Sequence, residues 1–105
     1  ANAAALHGIR SVFLTPLPVD EAMATERWMQ GYGINYARVT EELDALSDMI
    51  RGSGTRYLDL NQLYRECGQY LDGIHPTAAG HRFIAERLLE FLQKLYGAGD
   101  PQADA

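Results

Sequence analysis

The chain has 105 residues, with 9 Lys and Arg against 14 Asp and Glu, a formal net charge of −5 and 47% hydrophobic residues. That length suits one soluble globular domain rather than two, and an acidic balance with scattered cations excludes the basic stripe of a nucleic-acid binder. No apolar run approaches the roughly 18 residues that cross a bilayer, and a single cysteine, Cys67, excludes a disulfide framework and a Cys-rich zinc site.

Residues 1–7 (ANAAALH) read as the last turns of a helix, with Gly8 in the position that closes it. A chain that opens inside an element, without a charged and apolar leader, predicts a portion upstream, either removed or part of a longer chain. Ile9 to Thr15 carries three consecutive apolar residues, Val12, Phe13 and Leu14. That is the pattern of a parallel strand covered on both faces. Pro16 and Pro18 end it, because neither donates to a ladder.

Asp20 is placed to cap a helix through EAMATERWMQ. Gly31 and Gly33 break that segment, so it reads either as a short helix or as an ordered loop anchored by Trp28. A long helix follows, about Asn35 to Arg51, with Val39, Leu43, Leu46 and Ile50 on one face of a 3.6-residue period. Glu41, Glu42, Asp44 and Asp48 lie mostly off that stripe as a solvated face. Gly52 and Gly54 supply the stop. Arg56 to Leu60 is a second short strand, and strand, helix and strand at this spacing make a βαβ unit.

Asn61 to Pro76 is expected to be a loop of about sixteen residues, a length that is usually functional; a helical turn near Gln62–Glu66 would shorten it. The last helix runs about Thr77 to Tyr96, with Ile84, Leu88, Phe91, Leu92 and Leu95 on its apolar face and Gly97 as its cap. On its outer side Arg82, Glu86, Arg87 and Glu90 are set for weak pairs along the helix. Residues 98–105, of Ala, Gly, Asp, Pro and Gln, bury no apolar surface and are expected to be a flexible tail behind a domain spanning 1–97. Two parallel strands with free edges make a poor closed core. The expected architecture is therefore the C-terminal half of a larger α/β domain, completed by a second chain, by a copy of itself or by a missing portion.

The sharpest local feature is Leu71-Asp72-Gly73-Ile74-His75-Pro76-Thr77. An Asp three residues before a His, in a turn, sets a carboxylate beside the imidazole; it holds Nδ1–H and leaves Nε2 free as a general base. Gly73 permits a positive φ in the turn, Pro76 keeps His75 out of the helical region, and Thr77 is set to cap the helix behind it.

The segment DGIHPTAAGHRFIAERL resembles the C-terminal motif of the SGNH (GDSL-type) esterases and lipases, in which D-x-x-H-P carries the Asp and His of a Ser-His-Asp triad. SVFLTPLP, the helix that opens with Asn35-Tyr36, and RYLDLNQLY are similar to the elements preceding that motif, so the resemblance covers about residues 1–97. It implies the C-terminal part of a three-layer, flavodoxin-like α/β/α sandwich. It also implies a serine esterase or acyl hydrolase acting on carboxylic esters, with His75 as base and then acid and Asp72 as its orienting carboxylate. The family's G-D-S nucleophile motif and the Gly and Asn of its oxyanion hole are not in this sequence. Asn2 lies too early to replace the Asn. This chain thus supplies two members of a triad, and the Ser must come from the missing N-terminal half of the domain, from a separate chain of a nicked enzyme or from a complementing subunit. No metal or organic cofactor is implied, because the chemistry is nucleophilic acyl transfer.

Other residues carry plainer readings. Ser53, between Gly52 and Gly54, sits in a helix-to-strand turn and not in the strand-to-helix geometry of a nucleophile elbow. Cys67 is a small loop hydrophobe, with a Cys–His pair as the alternative. His7 and His81 read as surface histidines. Trp28, Met29 and Tyr32 either pack onto the sheet or line an acyl pocket. A non-catalytic remnant or assembly module that uses its open sheet edge is the alternative function.

Overall fold

The computed structural model of the chain describes Gly8 and residues 11–97, apart from the side chains of residues 29–32. The helix expected over 1–7, His7, the start of the first strand at Ile9 and Arg10, the side chains of Met29 and Tyr32 and the tail 98–105 lie outside the described residues. Within them the chain is a mixed α/β structure, mostly helical, around a two-stranded parallel sheet.

The elements are β1 (Phe13–Leu14), α1 (Glu21–Tyr32), α2 (Tyr36–Arg51), β2 (Tyr57–Leu58), α3 (Leu60–Cys67) and α4 (Ala78–Leu95). The strands pair in parallel with Phe13 opposite Tyr57 and Leu14 opposite Leu58. The Phe13 N–H donates to the Arg56 carbonyl at 2.9 Å and the Thr15 N–H to that of Leu58 at 3.1 Å. Both bonds use the same side of β1. The intervening Leu14 N–H and C=O therefore point to the other edge, which no strand among the described residues pairs.

Each helix starts on a side-chain cap that the sequence supplies. Asp20 accepts from the Met23 N–H at 3.1 Å, so the segment after it is a helix, not a loop, and it runs through Gly31. Asn35 caps α2 through the Arg38 N–H at 3.2 Å, Asp59 caps α3 through the Gln62 N–H at 3.2 Å, and Thr77 caps α4 through the Gly80 N–H at 3.1 Å. α3 corrects the expected sixteen-residue loop. Asp59 at the end of β2 caps a helix at once, so the irregular stretch shrinks to the segment between Gly68 and Thr77. Leu60 accordingly belongs to α3 and not to the second strand.

The expectation that β1 is covered on both faces is overturned. Phe13 is 39% exposed and Leu14 is 44% exposed. Successive strand residues point to opposite faces, so each face of β1 lacks part of its cover. The predicted α2 stripe is likewise incomplete: Val39, Leu43 and Ile50 are half-buried, while Leu46 is 46% exposed beside a Met49 that is 71% exposed. Phe13, Leu46, Met49 and Ile50 line one apolar recess, with Ser53 and Thr55 at its rim.

The core that does close is largely tyrosine. Tyr36, Tyr64 and Tyr70 are buried with Ala24, Leu58 and Leu60. The Tyr64 ring meets Tyr70 edge-on at 5.2 Å and Phe83 at 6.0 Å, the T-shaped geometry that aromatic quadrupoles favour. A polar joint ties the strand ends to α2. The Thr15 hydroxyl donates to Asp59 at 2.9 Å, and Arg51 grips both carboxylate oxygens of Asp59 at 2.8 and 3.0 Å. The Arg51 hydrogen bonds hold the Asp59 carboxyl below its usual range against the opposing effect of burial, helped by Thr15 and the Gln62 N–H. Among the described residues no helix is long and apolar enough to cross a membrane.

Candidate active site

The segment from Gln69 to Thr77 folds back on itself as a small hairpin. The Thr77 N–H donates to the Gln69 carbonyl at 3.1 Å and the Leu71 N–H to that of His75 at 2.8 Å, with Tyr70 and Pro76 paired antiparallel between them. Asp72 and Gly73 form the tip. One carboxylate oxygen of Asp72 accepts the backbone N–H groups of Ile74 at 2.9 Å and His75 at 2.7 Å, the Asx-type turn that Asp favours. The other lies 2.6 Å from Nδ1 of the His75 ring.

Gly73 is required here on two counts. Its φ is +91°, and a Cβ at this position would lie 2.4 Å from the backbone nitrogen of Ala24. The hairpin tip therefore packs directly on the first turn of α1, where the Asp20 N–H donates to the Gly73 carbonyl at 2.9 Å. Gly80 makes a second close approach. A Cβ there would fall 1.9 Å from the Tyr64 hydroxyl, which itself donates to the Gln69 carbonyl at 2.5 Å.

Asp72 is buried, with 8% of its surface exposed. Burial pushes its carboxyl up, but the His75 N–H, the His75 ring and the Ile74 N–H together outweigh burial and bring it down to about 2. A carboxylate that stays ionised can only accept hydrogen bonds, so the hydrogen of the 2.6 Å contact sits on Nδ1 of His75. In the neutral ring this leaves Nε2 with its lone pair. The His75 side chain is 66% exposed, and no hydrogen bond within the described residues engages Nε2. This arrangement can take up a proton at Nε2 while the ring stays oriented from behind.

The other candidate groups are not brought to this pair. Ser53 donates to the Ile50 carbonyl at 2.7 Å and meets the Thr55 hydroxyl at 2.6 Å in its helix-to-strand turn. Cys67 ends α3, half-buried and beside the Tyr64 hydroxyl. His81 is exposed in the first turn of α4. Among the described residues no three His, Cys, Asp or Glu side chains group as a metal site requires. Trp28 is half-buried with the Arg27 guanidinium 4.9 Å above its ring. The acidic face of α2 is not wholly solvated: Asp44 pairs with Arg65 at 3.2 Å and Asp48 with Arg51 at 2.8 Å. On α4 the pair formed is Arg87–Glu90 at 2.7 Å, three residues apart.

Comparison with known proteins gave no match to any protein-family model and none to a curated protein.

Sequence reasoning missed Tyr70 and the Asp20–Ala24 turn as neighbours of the pair. Tyr70 sits two residues before Asp72, but its hydroxyl donates to the carbonyl of Pro18, 52 residues away. No local spacing signals that contact.

Proposed function

We propose that the chain is the C-terminal part of a three-layer α/β/α sandwich of the SGNH type. In this reading it contributes the base and orienting acid of a serine esterase or acyl hydrolase. The observation that carries the proposal is the 2.6 Å contact between Asp72 and Nδ1 of a largely exposed His75, made by a carboxylate that stays ionised. The edge of β1 that no described strand pairs and the uncovered Phe13, Leu46 and Met49 support a second, complementing part, from the N-terminal half of the domain or another chain.

In this reading Nε2 of His75 takes the proton from a serine hydroxyl of the complementing part as the serine oxygen attacks the ester carbonyl. The same nitrogen returns that proton to the departing alcohol as the carbonyl–oxygen bond breaks. Water then repeats the sequence: it loses a proton to Nε2, attacks the acyl-enzyme and releases the acid, and His75 returns the proton to the serine. Asp72 keeps the ring in the Nδ1–H form and balances the charge while Nε2 carries the transferred proton. The complementing part also supplies the oxyanion donors, so the chain by itself is expected to show no esterase turnover. A non-catalytic assembly module is the second reading. It is favoured by the same exposed edge but leaves the ordered Asp72–His75 pair without a task.

The test is the native mass of the purified material together with labelling by a serine-directed fluorophosphonate. A labelled chain that co-migrates with this one, and whose labelling rate falls about 10³–10⁴-fold with His75→Ala, is the expected result. A co-migrating partner that takes no label, or whose labelling His75→Ala leaves unchanged, overturns the enzyme reading and leaves the assembly module.

A further inference from the structure

We propose that Tyr70 is a positioning residue for the Asp72–His75 pair, latching the hairpin that carries the pair onto the Pro18–Asp20 segment that opens α1. The proposal rests on reading that pair as base and orienting acid. The hairpin is attached to this segment twice. At the tip, the Asp20 N–H donates to the Gly73 carbonyl at 2.9 Å, and Gly73 packs on the backbone of Ala24 with no room for a Cβ. At the base, the buried Tyr70 donates its hydroxyl hydrogen to the carbonyl of Pro18, itself buried.

The two attachments restrain different motions. A contact at the tip alone leaves the hairpin free to rotate about Gly73. A second contact at Tyr70, paired across the hairpin with Pro76 next to His75, removes that rotation. The restraint matters because the His75 ring is 66% exposed, and the contact that orients it is with Asp72 on the same hairpin. Such a hydrogen bond weakens steeply as its angle degrades, and a productive constellation tolerates only about 0.5 Å and 10–20° of displacement.

The latch is itself supported. Tyr70 stacks edge-on against Tyr64, whose hydroxyl holds the Gln69 carbonyl at 2.5 Å, and that carbonyl also accepts from the Thr77 N–H at 3.1 Å. Burial pushes the Tyr70 phenol up to about 12, so it remains a donor throughout the neutral range.

Tyr70→Phe removes the hydroxyl and keeps the ring. In the full chain, the readouts are solvent exchange of the His75 Nδ1 proton and the ring nitrogen shifts that report its tautomer, both by NMR. The expected result is a roughly tenfold faster exchange and a mixed tautomer, with the fold retained. Leu92→Ala, at a half-buried site far along α4, serves as a control remote from the hairpin and is expected to leave both readouts unchanged. Exchange in Tyr70→Phe equal to wild type, or raised no more than in the control, overturns the proposal. A wild-type ring protonated at Nε2 and not at Nδ1 also overturns it. If Tyr70→Phe does not fold, Tyr64→Phe, which frees the Gln69 base of the same hairpin, is read in the same way. The Nδ1 proton reports without any nucleophile present. Partner labelling that His75→Ala leaves unchanged therefore removes the esterase reading while leaving the positioning result intact.

Discussion

Asp72 shows how one carboxylate serves both the backbone and a side chain. Its two oxygens are divided between the N–H groups that shape the turn and the ring that the turn presents. The same bonds set a pH dependence. Its carboxyl drops from an ordinary 3.8 to about 2 in the fold, so the unfolded chain holds the proton more tightly. The stabilisation is complete above the unfolded value and is lost as pH falls from about 4 through about 2. The Tm of the wild-type chain is expected to exceed that of Asp72→Asn at pH 6, with the gap closing over that acid window. A gap that is constant with pH would mean that the carboxylate is not held ionised by its neighbours. Gly80 gives a steric test at the same scale. Gly80→Ala sets a methyl 1.9 Å from the Tyr64 hydroxyl. Overpacking of this kind costs about 1–3 kcal/mol, more than the up to about 1 kcal/mol that Ala gains over Gly in helix propensity. A thermal melt is expected to show a Tm lower by several degrees.

Among the elements, the hairpin at Gln69–Thr77 is held by α1 at its tip, the Pro18–Asp20 segment before α1 at its base, α3 through Tyr64, and α4 through the Thr77 cap. Helices thus supply the rigidity around a segment that has little regular structure of its own. α2 behaves differently. Its ends are well capped and Arg51 is locked to Asp59, yet its middle presents Leu46 and Met49 outward. An outward methionine is not needed for the helix to form, because Met and Glu have similar helix propensities. Met49→Glu is therefore expected to leave the far-UV circular dichroism of the chain unchanged. It is also expected to weaken association with the complementing part at least tenfold, measured by native mass across a dilution series. Undiminished association would show that this face is not where the second part docks.

For the whole molecule, what could be read from the sequence and what could not divides along the range of the interactions involved. Residue order by itself determined the helix starts at Asn35 and Thr77, which each cap a backbone N–H three residues on, and it placed a cap at Asp20 without deciding between helix and loop behind it. It also determined the parallel pairing type, from the strand, helix and strand spacing of Ile9–Thr15, Asn35–Arg51 and Arg56–Leu60, and the contact between Asp72 and His75, since a turn of four residues closes on itself. Local signals compete over Asn61–Pro76: the polar stretch reads as loop with at most a helical turn near Gln62–Glu66, because Asp59, the cap of α3, reads equally as part of the strand before it. Only the tertiary structure decided that β1 and the α2 stripe stay partly open. An apolar period marks a face that prefers burial but does not say whether this chain supplies the cover. Only the tertiary structure brought Tyr70 to Pro18 and Gly73 to Ala24, contacts between residues some fifty positions apart. Those contacts follow from where packed helices place their ends, and no spacing along the chain encodes them.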